Sequence, residues 1–233
     1  MERNNTRNYK HKLLYEMKEG KFSASERLPR ETELAEMLGI SRTQLRDTLS
    51  ELEREGYITR RHGVGTVINR HVLQVRNRMD IEMEFCDIVR SCGGNPKVQL
   101  LWVGEIQADA HVAEKLKIAE GAAVLCKCSV CTSNGVPAIC WTDVVDKALV
   151  NKPYTEKDMD GVIFDFLLEF CGVSPYMDIT DLHAVVADEK LEKILGVAQG
   201  TPLLNMEEVD YDISGNPIMY SNQYFVEGPI QHT

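Results

Sequence analysis

At 233 residues, with 43% hydrophobic residues, 27% charged residues and a formal net charge of -10, the chain has the size of two modest domains or one large one and an ordinary globular make-up. No apolar run approaches the roughly 18 residues that span a bilayer, and the N-terminus MERNNTRNYKHK has neither the apolar core nor the cleavage site of a secretion signal. The seven cysteines are an odd number without an export signal, so a cytoplasmic chain with reduced thiols is expected. The charge is uneven. Residues 1–70 hold 14 Lys plus Arg against 11 Asp plus Glu, net +3, and residues 71–233 carry -13. Such a split suggests two domains with different partners.

In chain order, residues 5–19 place Tyr9, Leu13, Leu14 and Met17 at helical spacing, and Gly20 stops the pattern. A polar loop, KFSASERLP, leads to a second helix over 31–38 with Leu34, Ala35 and Leu38 on one face, broken by Gly39. Ser41 is a good N-cap for a third helix from about 42 to 55, with Leu45, Leu49 and Leu52 as its buried stripe and Gly56 after it. Residues 57–68, YITRRHGVGTVI, switch to two short strands around Gly63 and Gly65. Residues 69–78 have no firm pattern and read as a linker.

The remainder begins with a helix of about ten residues, DIEMEFCDIVRSC, ended by Gly93-Gly94. Then come a strand-like run (97–108), a short helix (DAHVAEKLKI) and a hairpin turned at Asn134-Gly135. Residues 161–171 read as a further helix. About 80 residues on, the layout of short helix, strand, S-x-G-x-P turn and strand returns, which points to one pseudo-symmetric α/β domain.

Helix, Gly break, Ser-capped helix and Gly-turned hairpin make a winged helix-turn-helix. Its third helix can enter the major groove of DNA N-terminus first while the second helix braces it. Arg42, Thr43 and Arg46 face outward near that end, where free amides and positive partial charge suit a phosphate. An arginine fork can also grip guanine O6 and N7. The hairpin tip, Arg60-Arg61-His62-Gly63, would lie along the backbone or in the minor groove.

Residues 9–68 resemble the DNA-binding domain of the GntR family of bacterial transcription regulators. The match lies in L-P-x-E-x-E-L-A (28–35), L-G-I-S-R-T-Q-L-R (38–46), L-x-x-L-E-R-E-G-Y-I (49–58) and H-G-V-G-T-V-I (62–68). The resemblance implies DNA contacts at Ser41, Arg42, Thr43, Arg46, His62 and Gly63, with Arg61 beside them. Thr32 stands where some members have a DNA-contacting arginine. Arg30 stands where Ser or Ala is commoner, which shifts the expected phosphate contact.

Residues from about 80 to 228 resemble the effector domain of the HutC-type subfamily, a UTRA-like, chorismate-lyase-like fold with an antiparallel sheet. The resemblance is carried by I-x-A (106–108), L-x-I-x-x-G (116–121), S-N-G-V-P (133–137), L-G-V-x-x-G-x-P-L-L (195–204) and G-N-P-I-M-Y-S (215–221). It implies an α+β chain with a DNA-binding domain at 1–70, a linker at 71–79 and an effector and dimerisation domain at 80–233. Many members grip an acidic ligand with two arginines; here those positions hold Ser129 and Cys131, and two common glutamates are replaced by Trp141 and Met219. Without those charges the expected effector is apolar or aromatic. The loop carrying Gly94 and Asn95 is expected to offer backbone amides.

The expected function is a homodimeric, metabolite-responsive repressor on a palindromic operator, with no cofactor, no metal and no membrane partner. The alternatives are a metal- or redox-sensing regulator using Cys126, Cys128, Cys131 and Cys140, a lyase-like enzyme, and a DNA-binding protein with a vestigial pocket. Strand alternation splits the cysteines between two faces, and C-x-C-x-x-C lacks paired C-x-x-C spacing, so apolar packing is expected for them. No G-x-S-x-G, P-loop or H-E-x-x-H is present. His183 is expected to be a hydrogen-bonded structural residue, and Asp143 and Asp146 to lie in a solvated loop.

Overall fold

The structure, a computed structural model, describes residues 2–75, 77, 78 and 83–231, with side chains from residue 9 onward. The chain divides into two compact units that part near residue 82.

In the first unit, α1 (Glu2–Lys18), α2 (Glu31–Leu38) and α3 (Arg42–Arg54) precede β1 (Ile58–Arg61) and β2 (Gly65–Ile68). Leu13 and Met17 of α1, Leu34 and Ala35 of α2, and Leu45, Leu49 and Leu52 of α3 share one core with Ile58 and Ile68. Each fully buried leucine contributes about 1.5–3 kcal/mol. Gly39 ends α2 in the left-handed region, φ 67°, where a side chain would strain the backbone. Ser41 and Gln44 form a reciprocal capping box: the Ser41 hydroxyl accepts from the Gln44 amide at 3.2 Å, and the Gln44 side chain accepts from the Ser41 amide at 3.0 Å. The Leu28 amide donates to Thr66 O and the Ile68 amide to Glu26 O, so the loop before α2 adds a third short rung to the wing.

The segment read as a linker is partly built into this unit. Residues Arg70–Leu73 form a helical turn, α4, and Leu73 joins the core. The Arg70 guanidinium donates to the carbonyls of Met17, Phe22 and Ser25. Arg78 donates to Glu55 O and lies 5.0 Å over the Tyr57 ring, and Asn77 is buried. These partners lie up to 53 residues away, so no local pattern announces the docking.

The second unit starts with α5 (Phe85–Ser91), shorter than the expected 80–92 helix, whose first residues fall outside the described ones. Then follow β3 (Pro96–Gln107), α6 (Ala110–Leu116), β4 (Ala123–Ser133), β5 (Val136–Asp146), α7 (Ile163–Phe166), β6 (Met177–Val186), α8 (Glu189–Leu195), β7 (Pro202–Tyr211) and β8 (Pro217–Val226). Helix α7 runs on into a π-helical turn over Leu167–Cys171.

All six strands form one antiparallel sheet in the order β3-β4-β5-β8-β7-β6. The repeat is larger than the sequence suggests: β3-α6-β4-β5 matches β6-α8-β7-β8, related across the central β5–β8 pair. Local bonds repeat with it. Asp109 and Asp188 cap α6 and α8 through side-chain oxygens. The amide of Gly121 donates to Ala108 O at 2.8 Å, and that of Gly200 to Ala187 O at 2.9 Å. Strand β6 has no counterpart among the expected elements. It is an edge strand, exposed on both faces, and so shows no apolar alternation.

One sheet face packs under α6 and α8, around Val124, Cys126, Val130, Cys140 and Val144. The other packs under α5 and α7, around Leu125, Cys131, Ile139, Trp141, Val145, Met219 and Phe225.

Candidate functional site: an exposed reading surface and a buried sheet face

The first unit presents Arg30 and Thr32 at the start of α2, Ser41, Arg42, Thr43 and Arg46 at the start of α3, and Arg61, His62 and Gly63 at the wing tip, all exposed. Apolar packing on the opposite side of α2 and α3 turns these groups outward. Gly63 has φ 75° at the tip. Arg27 steadies the wing by donating to Val64 O at 3.1 Å.

Arg42, Arg46, Arg60 and Arg61 do not share one environment. Arg46 is 68% exposed at its side chain, and its Nε donates to Glu31 Oε2 at 2.9 Å. Arg60 turns back onto α3. Its Nε donates to Glu53 Oε2 at 2.7 Å, its amide to Glu53 Oε1 at 2.8 Å and an Nη to Ser50 Oγ at 3.1 Å. The Arg60 amide and then its guanidinium hold the Glu53 carboxyl below its usual range. Arg60 therefore fastens the wing to the helix, while Arg42 and Arg61 stay exposed.

In the second unit, Ser129, Cys131, Trp141 and Met219 all sit on the face under α5 and α7, and all are buried. The Trp141 ring lies 4.3 Å from that of Phe85 in α5. The loop at Gly94 and Asn95 departs from expectation. The Gly94 amide donates to Val89 O and the Asn95 amide to Asn134 Oδ1, so both amides are engaged within the chain.

Asp143 is a second correction. It lies in β5, 3% exposed, rather than in a solvated loop. It accepts from Ser221 Oγ at 2.9 Å and from Trp141 Nε1 at 3.1 Å. Burial outweighs those hydrogen bonds and the Lys127 charge, and pushes its carboxyl up to about 6. Asp146, at the end of β5, caps the turn at Lys147–Leu149 by accepting from the Ala148 amide. His183, expected to be a hydrogen-bonded structural residue, lies exposed in β6.

Sequence reasoning missed Lys127. It stands directly across from Asp143, on the same face as Ser129, and is 4% exposed. The signal was a lysine inside VLCKCSVC, two residues from Ser129 in a strand whose neighbours are apolar. The sheet face is thus not the charge-free set of Ser, Cys, Trp and Met expected.

Cys126, Cys131 and Cys140 fall in three separate apolar clusters, and burial pushes their thiols up to about 11, 12 and 12. Thiols so shifted are poor nucleophiles and metal ligands.

A winged helix-turn-helix fused to an antiparallel sheet with this repeat matches two family models: "Bacterial regulatory proteins, gntR family" over residues 6–68 and "UTRA domain" over residues 91–227. The chain belongs to the GntR family, with a UTRA domain. Proteins similar to it include "Probable transcriptional regulator PhnF" of Escherichia coli (strain K12), 27% identical over 86% of this chain and 82% of that one. The "HTH-type transcriptional repressor NagR" of Bacillus subtilis (strain 168) is 22% identical over 91% and 86%. Among solved structures, the possible transcriptional regulator YydK from Bacillus subtilis superposes with TM-score 0.75 at 19% identity, over 96% of this chain and 97% of that one. PhnF from Mycobacterium smegmatis superposes with TM-score 0.60 at 22% identity, over 88% and 89%. As a GntR-family member the chain is a transcription regulator, and among its described residues no helix is long and apolar enough to cross a membrane.

Proposed function

We propose that this GntR-family chain is a metabolite-responsive repressor. In this reading it binds a palindromic operator as a homodimer in the cytoplasm and acts by binding rather than by turnover. The reading head is residues 1–70, the effector and dimerisation domain residues 80–233, and residues 71–79 connect them. The observation that carries the reading is the exposed set Arg30, Thr32, Arg42, Thr43 and Arg46 on α2 and α3, beside Arg61 and His62 on the wing. Arg42 and Thr43 lie at the capped start of α3, where backbone amides favour phosphate, and Arg46 lies one turn further along, within reach of a base edge. The similarity to a protein named as a transcriptional repressor supports repression. Effector control requires that the metabolite bind one arrangement of the dimer better than another, since only differential affinity moves the equilibrium.

Selection from a random pool of duplexes tests this. Enrichment of an inverted repeat, with affinity falling steeply as salt rises, is the expected outcome. Failure to enrich any duplex at low ionic strength refutes it.

A further inference from the structure

We infer that the sheet face beneath α5 and α7 binds a small carboxylate-bearing metabolite with an apolar body, its carboxylate held by Lys127 Nζ and Ser129 Oγ. The inference rests on the effector reading above and adds the chemical class of the ligand.

Two polar rows cross this face between the apolar patches covered by α5 and α7. One runs Lys127, Asp143, Ser221 across β4, β5 and β8, and the next runs Ser129, Trp141, Gln223. All six residues are buried. Asp143 is well satisfied by Ser221 and Trp141. Lys127 and Ser129 are not. An ammonium carries three donors, and among the described residues Lys127 uses one, to Gly161 O. It forms no ion pair among the described residues. Among the described residues Ser129 Oγ, which is buried, has no hydrogen-bond partner. Burying such groups unsatisfied is costly, so two of them side by side mark a place for an oxygen-rich ligand.

Their spacing suits a carboxylate. Residues two apart on a strand lie roughly 7 Å apart. The two oxygens of a carboxylate, with a hydrogen bond of about 2.8 Å at each end, span a similar distance. One cation also suits one negative charge. A phosphate dianion would bring a second charge toward Asp143, with Ser and Cys at 129 and 131 supplying no cation. A neutral ligand would give the buried Lys127 ammonium no ion pair, the facing Asp143 carboxyl being already engaged by Ser221 and Trp141. Trp141, directly across from Ser129 and backed by Phe85, forms the apolar wall for the rest of the molecule.

The test uses the full chain in thermal-shift titrations with butanoate, benzoate and phenylacetate, each beside its primary amide, and with glucosamine 6-phosphate. Expected are saturable stabilisation by at least one carboxylate, none by its amide or by the phosphate, and about ten-fold or greater weakening in Lys127→Met. Ser129→Ala, smaller and uncharged, should weaken the same carboxylate as well, and it carries the comparison if Lys127→Met does not fold. Stabilisation by no carboxylate, equal stabilisation by the amide, preference for the phosphate, or unchanged affinity in both variants overturns the inference. Duplex selection without any small molecule reports separately on the regulator reading.

Discussion

Arg46 and Glu31 meet across the helix-turn-helix: Arg46 Nε donates to Glu31 Oε2 at 2.9 Å from an otherwise exposed side chain. The pairing uses Nε, so the two Nη atoms, which make no other hydrogen bond among the described residues, keep the donors that a guanine O6 and N7 would take end on. Because the pair is exposed, it adds only about 0–1 kcal/mol to stability. Its consequence lies in aim. Arg46→Ala should cost about 1–3 kcal/mol of affinity for the selected duplex. Glu31→Gln should leave the melting temperature nearly unchanged but lower the ratio of specific to non-specific binding. Equal loss on both kinds of DNA in a shift assay would show that Glu31 does not direct Arg46.

Arg70 answers three carbonyls, those of Met17, Phe22 and Ser25, from a turn that follows the wing. Arg70→Met removes every donor at once, and three partly buried acceptors lose their partners. A loss on the order of 2–4 kcal/mol is expected for the first unit in urea unfolding. Arg70→Lys should recover little of it, because a compact ammonium cannot span three acceptors as a guanidinium does.

Ser41 joins the start of α3 to its own first turn through the capping box with Gln44. Ser41→Ala should cost about 1 kcal/mol of stability, and Ser41→Asp should retain most of it. Urea midpoints of the two variants check the order.

Asp143 makes the second unit sensitive to pH with a definite sign. Its carboxyl stands at about 6 in the folded chain against 3.8 as the ordinary value, because burial disfavours the anion. The folded state therefore holds this proton where the unfolded chain has lost it. The stabilisation is complete below about pH 4 and is lost as pH rises through 6, on the order of 3 kcal/mol. Asp143→Asn should remove that component, so the wild-type minus variant difference in urea midpoint should shift in favour of the variant between pH 4.5 and pH 7.

The first unit was legible almost residue by residue. Its signals are local: Leu45, Leu49 and Leu52 at helical period, Ser41 three residues before Gln44, and Gly39 and Gly63 where the backbone turns left-handed. The second unit was legible as a repeated layout but not as a sheet. Both outer strands are paired along one side only, but β3 shows as an apolar run, while the matching β6, MDITDLHAVV, breaks its apolar residues with Asp178, Thr180, Asp181 and His183 and looks like polar loop. Chain order also conceals that β5 lies beside β8, a pairing that joins Asp143 to Ser221 across 78 residues.

By itself the sequence determined the architecture of the winged unit, the family, and which polar side chains its helices and wing expose, because helix period, capping and turn chemistry act over a few residues. Tertiary structure alone decided which arginine faces inward, where the chain after the wing is tied down, and that Lys127 and Asp143 share a buried face. Those outcomes depend on burial and on partners distant in the chain. A side chain's charge, exposure and hydrogen bonds are properties of its surroundings, which exist only once the strands have found one another.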